Sequence, residues 1–136
     1  MRTMDVYLTQ AARTHLRALS SVSSYSDGLL IGHKRGQQYI AEAIFSIPIR
    51  LAAAQAKYIQ LDQMLEERIL GFFTLQPNKF KREKLLRPIF MGKILLEIQV
   101  SPGKNPGMKA YSIDYKETFV LSPIKIKKEA MRKTNV

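Results

Sequence analysis

The chain has two histidines and no cysteine, so residue types able to grip a soft metal or attack a carbonyl are few. Without cysteine there is no disulfide, no thiolate metal site and no cysteine nucleophile. His15 falls beside the apolar stripe of a predicted helix, and His33 adjoins Lys34 and Arg35 at a predicted turn. They are far apart in sequence and have no paired carboxylate, so both read as surface residues. The hydroxyl-rich run Ser20–Ser26 has no histidine or aspartate placed to activate a serine. Gly103-Lys104-Asn105-Pro106-Gly107 lacks the Gly-Lys-Ser/Thr ending of a phosphate loop and reads as a hairpin loop. The densest chemical signal is basic: Lys79, Lys81, Arg82, Lys84 and Arg87, with Phe80 inside the cluster and Phe90 beside it. Cations on phosphates and a base stacked on Phe80 would suit single-stranded nucleic acid. The competing reading is an amphipathic helix, in which the cations face solvent while Phe80, Leu85 and Phe90 enter the core.

The elements that must position these residues follow from periodicity. Met4–Leu8 reads as a short strand or lead-in segment, and Thr9 as the N-cap of a helix with Ala12, Leu16 and Leu19 on one side. Serine competition for the backbone ends that helix after Ser20. Gly28–Gly32 is a short apolar run suited to a buried strand, and it forms a hairpin with Tyr39–Phe45 through a turn at Gly36. Leu51–Arg68 reads as one helix with Tyr58, Leu61 and Leu65 on its apolar stripe. Ile69–Phe73 is an apolar strand, Pro77-Asn78 a break, and Lys79–Met91 a helical segment weakened at Pro88. Lys93–Val100 is the clearest strand. Strand segments follow at Met108–Tyr115 and Thr118–Leu121. Ile124 and Ile126 alternate with Lys125 and Lys127 as in a lysine-blunted edge strand. The order predicts an α/β fold with a mixed, largely antiparallel curved sheet flanked by helices. The expected organisation is one domain over 1–127 and a basic C-terminal tail over 128–136.

The formal net charge of +11 over 136 residues, with a pI near 10.0, gives a field that attracts nucleic acid, anionic lipid or acidic protein faces. A second basic group, Lys125, Lys127, Lys128, Arg132 and Lys133, reads as a solubilising tail. No run approaches the roughly 20 apolar residues of a membrane helix, and Met1–Tyr7 lacks a signal-peptide core, so the expectation is a cytoplasmic protein without a membrane partner.

The apolar strand Ile69-Leu70-Gly71-Phe72-Phe73, preceded by a helix, and the proline at Pro77 resemble the metal-site segment of the JAMM/MPN (Mov34-type) metalloprotease family, a relative of the cytidine-deaminase fold. A helix followed by Gly28-Leu29-Leu30-Ile31-Gly32 adds to the resemblance, which spans about residues 5–125. Active members of that family hold one zinc with two histidines and an aspartate, and a glutamate acts as general base on the zinc-bound water. The resemblance places the histidines at Thr74 and Gln76, a serine at Lys84, the aspartate at Arg87 and the glutamate at Tyr25. Asp27 is near the last position but needs a register slip. None of the five carries the family's residue, and no histidine or aspartate occurs in Thr74–Gln99. Metal and cofactor are therefore expected to be none, and the chain not to be an enzyme. The resemblance implies a catalytically inactive MPN-like interaction or assembly module that forms a homodimer or docks on a protein partner, with the apolar faces of the first two helices as candidate contacts. A nucleic-acid-binding protein using 79–87 is the alternative. An enzyme with an unfamiliar site is a third reading.

Overall fold

The computed structural model describes residues 4–22, 27–99 and 107–127. Its strands are β1 (Asp5–Leu8), β2 (Asp27–Arg35), β3 (Gln38–Ser46), β4 (Ile69–Thr74), β5 (Ile94–Gln99), β6 (Gly107–Lys116) and β7 (Thr118–Lys127). The helices are α1 (Gln10–Val22), α2 (Ile49–Ala52), α3 (Gln55–Met64) and α4 (Lys79–Leu85), with a 3-10 turn at Pro88–Phe90. The strands close into a barrel in the order β1-β3-β2-β4-β5-β6-β7. Among the described residues no helix is long and apolar enough to cross a membrane.

This corrects the expected curved sheet flanked by helices of MPN/cytidine-deaminase type. The chain forms a closed, seven-stranded mixed barrel with few helices. Closure depends on β1, a four-residue strand that pairs in parallel with β3 on one side and β7 on the other. Asp5, Val6 and Tyr7 align with Lys125, Ile126 and Lys127. The lysine-flanked segment is therefore no blunted edge. Ile124 and Ile126 pack against the interior cluster, while the alternating lysines point the other way along the pleat. Sequence periodicity carries the in-and-out alternation but not the identity of the neighbouring strand.

Two apolar clusters divide the core. The interior one draws Val6, Leu8, Leu30, Tyr39, Phe73 and Leu96 from five strands and takes Leu16 from α1. The outer one joins Leu29, Phe72 and Leu95 to Ile49, Tyr58, Leu61, Leu85 and Phe90 from the helical side. β4 lies between the two and is buried at all six positions. It pairs in parallel with β5, and a strand covered on both faces reads as a continuous apolar run rather than an alternating one. At Gly71 the backbone of β5 comes so close that a Cβ would stand 2.0 Å from the Ile94 carbonyl oxygen.

The expected helix Leu51–Arg68 is two helices, broken where Ala54 turns extended (φ −68, ψ 126). The break re-phases the apolar stripe. Ile49, Ala52 and Ala53 on one side of it, and Tyr58 and Leu61 on the other, all reach the outer cluster. One straight helix would carry these two sets on opposite faces, because nine residues make two and a half turns. The expected tail over 128–136 lies outside the described residues.

Candidate functional site

Three residues stand abreast where β2, β4 and β5 meet. Asp27 is paired with Thr74 in the antiparallel register of β2 and β4, and Thr74 with Glu97 in the parallel register of β4 and β5. All three are buried. They belong to the outer face, since Leu29, Phe72 and Leu95 lie two residues from them in each strand and sit in the outer cluster. Two strand spacings separate the carboxylates by about 10 Å, too far to share one proton or one ion. Each needs its own cation.

α4 supplies both. Asn78 caps it, its Oδ1 accepting from the Lys81 amide at 2.8 Å. The next turn projects Lys81 and Arg82 toward the two carboxylates. Lys81 Nζ donates to Asp27 Oδ1 at 2.9 Å, to Thr74 Oγ1 at 3.2 Å and to the Gln76 carbonyl at 3.0 Å. Arg82 grips Glu97 with two hydrogen bonds, Nε to Oε2 at 2.6 Å and one terminal amine to Oε1 at 2.9 Å. Those bonds raise the Arg82 pKa above its usual value, against a smaller opposing effect of burial.

The Lys81 ammonium and the Thr74 hydroxyl have their hydrogen-bonding capacity fully committed. An ammonium has three donors, and Lys81 commits all three. A hydroxyl has one donor and two acceptor sites. Thr74 donates to Asp27 Oδ1 at 2.6 Å and accepts from Lys81 and from the Gln76 amide at 3.1 Å. Asp27 Oδ2 accepts from the Ile49 amide at 3.2 Å, which ties α2 to the same point. A buried Thr-Asp pair at 2.6 Å has the distance of a nucleophile and its base, yet Thr74 retains no free hydrogen-bonding position and no exposed surface for a substrate.

The expected site residues are thus partly assembled. Thr74, Gln76 and Lys81 come together, Gln76 through its backbone while its side chain is exposed. Lys84 lies over the Phe80 ring at 4.7 Å from its centroid, and Arg87 is exposed. Tyr25 lies outside the described residues. Lys79 is exposed, 3.8 Å from Glu83 one turn on. Leu85 and Phe90 are buried, but Phe80 is 62% exposed rather than in the core. Of the histidines, His15 is exposed on α1, and His33 pairs with Glu42 at 2.7 Å. Among the described residues no group of three or more metal-ligating side chains converges.

Sequence reasoning passed over Asp27 in favour of Tyr25 and missed Glu97 altogether. Both carried a signal. Asp27 is the lone acid opening an apolar strand, and Glu97 the lone acid inside Ile94–Ile98. A carboxylate in such surroundings requires a buried partner.

No family model and no curated protein matches the chain. Among solved structures it is similar to protein DSY2949 from Desulfitobacterium hafniense, solved in solution, with 17% sequence identity, 91% of this chain and 94% of that chain covered, and a TM-score of 0.61. A likeness at that identity shows the shared fold alone.

Proposed function

We propose that this protein is a non-catalytic interaction module, cytoplasmic in setting. The observation that carries the reading is the three-way engagement of the Lys81 ammonium by Asp27, Thr74 and Gln76. At the two positions where the resemblance to the MPN family puts histidine ligands, the chain offers a hydroxyl and a backbone carbonyl, and its own lysine supplies the positive charge. A cluster whose Lys81 and Thr74 donors are all engaged within the chain contributes to holding α4 and α2 on the barrel and has no donor left for a substrate.

A partner has apolar surface to meet. The inward faces of α1 and α3 are spent on the core through Ala12, Leu16, Tyr58 and Leu61, so they are not the contacts. Ile59 (43% exposed) and Met64 (70%) on α3, with Leu51 on α2, are the large exposed apolar residues of that segment. Light scattering across a concentration series reads self-association, and capture from native extract reads a heterologous partner. The Ile59→Glu/Met64→Glu double variant should abolish one of the two. If it leaves both unchanged, α3 is not the contact. Stoichiometric zinc binding by the wild-type protein in calorimetry would defeat the non-catalytic reading itself.

Binding of single-stranded nucleic acid is the second reading. The exposure of Phe80, with Lys79, Lys84 and Arg87 near it in sequence, favours it. Lys81 and Arg82 drop out of that interface because their charges are engaged internally. Fluorescence anisotropy with a short labelled oligonucleotide at two salt concentrations tests it.

A further inference from the structure

The opposite ends of β2 and β4 border a half-open cavity of about 460 Å³, remote along both strands from Asp27 and Thr74. His33, Lys34, Glu67, Arg68, Leu70 and Lys93 line it. Leu70 belongs to the interior cluster and Ile69, which also lines the cavity, to the outer one, so the cavity lies at one end of the barrel wall, where β2 stops and β4 starts.

Its cations differ from those of α4. Lys81 and Arg82 each meet a carboxylate, whereas among the described residues no carboxylate lies within ion-pair distance of Lys93 or Lys34. The Lys93 ammonium is half-buried and donates to the Ile69 carbonyl oxygen at 2.7 Å. That bond uses one of its three donors. Lys34 lies over the Tyr39 ring, 5.0 Å from the centroid. Arg68 and His33 share the single carboxylate of Glu42, at 3.3 and 2.7 Å. Burial pushes the Lys93 pKa down and the charge of Lys34 adds to that, while Asp62 and Glu67 oppose it. Glu67, on the rim, and Glu66 before it have left-handed backbone (φ 59 and 55) where the chain leaves α3.

We propose that this cavity binds a small oxyanion, a carboxylate or phosphate group, with Lys93 as its anchor and Lys34 and Arg68 as flanking cations. An oxyanion offers acceptors for the two uncommitted Lys93 donors and a counter-charge for Lys34, and charge-assisted hydrogen bonds of this kind are the strong class. The cavity volume suits a metabolite-sized molecule rather than a chain segment. The site is independent of the Asp27 cluster and does not rest on the function proposed above.

Amide chemical-shift titration of the labelled protein tests this, with inorganic phosphate and citrate as separate arms to about 10 mM, where a millimolar site is largely filled. The expected result is saturable shifts at the Gly32, Arg68 and Leu70 amides in at least one arm, and the stronger arm identifies the group bound. Lys93→Met should weaken that binding about tenfold or more, and Lys34→Met by less. Lys34 is exposed, so its variant still tests the site if Lys93→Met fails to fold. Absence of saturable shifts at these amides in both arms, shifts confined to Lys79–Arg87, or variants that titrate like the wild type would overturn the proposal.

Discussion

The Lys81 ammonium lies 2.9 Å from the Asp27 carboxylate although 54 residues separate them in the chain. Arg82, one residue on, reaches Glu97. A seven-residue helix thus meets two buried acids on either side of Thr74, and the basic segment with the sequence character of a ligand surface is in part a structural rivet.

Replacing Lys81 by Met should destabilise the fold by about 3 kcal/mol, because Asp27 is left buried and charged without its cation. Urea unfolding measures this. The Lys81→Met/Asp27→Asn pair should cost less than the sum of the single changes, since the double variant leaves no unpaired charge. A Lys81→Met cost within about 0.5 kcal/mol of zero, the range of ordinary surface changes, would remove the rivet. Arg82→Gln should cost less, as Arg82 is 43% exposed and its pair with Glu97 is partly screened.

Gly71→Ala should be among the most damaging single substitutions, on the order of 3 kcal/mol or more. Its Cβ would meet the oxygen, nitrogen and carbonyl carbon of Ile94 at 2.0, 2.6 and 2.7 Å, all backbone atoms of the paired strand. Gly107→Ala, where nothing among the described residues lies within 4 Å, is the matched control and should change stability by less than about 0.5 kcal/mol. Comparable losses at both sites would refute the close approach of β4 and β5.

Stability should fall as pH rises above 10. Burial raises the pKa of Tyr58 and of Tyr39, with smaller contributions from Asp62 and Asp114 respectively. In the unfolded chain each ionises near 10.0, so above that pH the folded state holds more protons and loses stability with each further step. Thermal melts at pH 8 and pH 10.5 read the effect. Tyr58→Phe should flatten the alkaline limb at little or no cost at pH 8, because the buried Tyr58 hydroxyl has no hydrogen-bond partner among the described residues. An unchanged limb would mean that the ring ionises freely in the fold.

If the second functional reading holds, Phe80→Ala should weaken oligonucleotide binding by about 1–3 kcal/mol, the usual worth of a stacked base. Lys84→Gln and Arg87→Gln should each reduce the slope of log K against log salt by about 0.7. Anisotropy titrations across salt concentrations measure both. Binding indifferent to Phe80 would leave only diffuse attraction to a basic surface.

Much of the layout was legible in the residues. The N-cap at Thr9 is formed, its Oγ1 accepting from the Ala12 amide at 3.2 Å. The β2–β3 hairpin, the buried strand at Ile69–Phe73 and the strand at Ile94–Gln99 fall where periodicity put them. These are local properties: a cap spans three residues and a strand face repeats every second one, so a short window of sequence contains the whole cause. The stripe over Leu51–Arg68 reads as one helix because the break at Ala54 is favoured by packing onto the outer cluster and not by any breaker residue.

By itself the sequence determined which residues alternate, which segments are apolar on both faces, and that no cysteine chemistry is available. Only the tertiary structure decided that a four-residue strand closes the barrel, that Lys81 and Arg82 turn inward while Phe80 turns out, and that Asp27 and Glu97 are the acids they meet. The reason is range. Hydrophobic periodicity is set by neighbours a few positions away, whereas an ion pair and a strand partner are set by which distant segments the whole chain brings within a few ångströms.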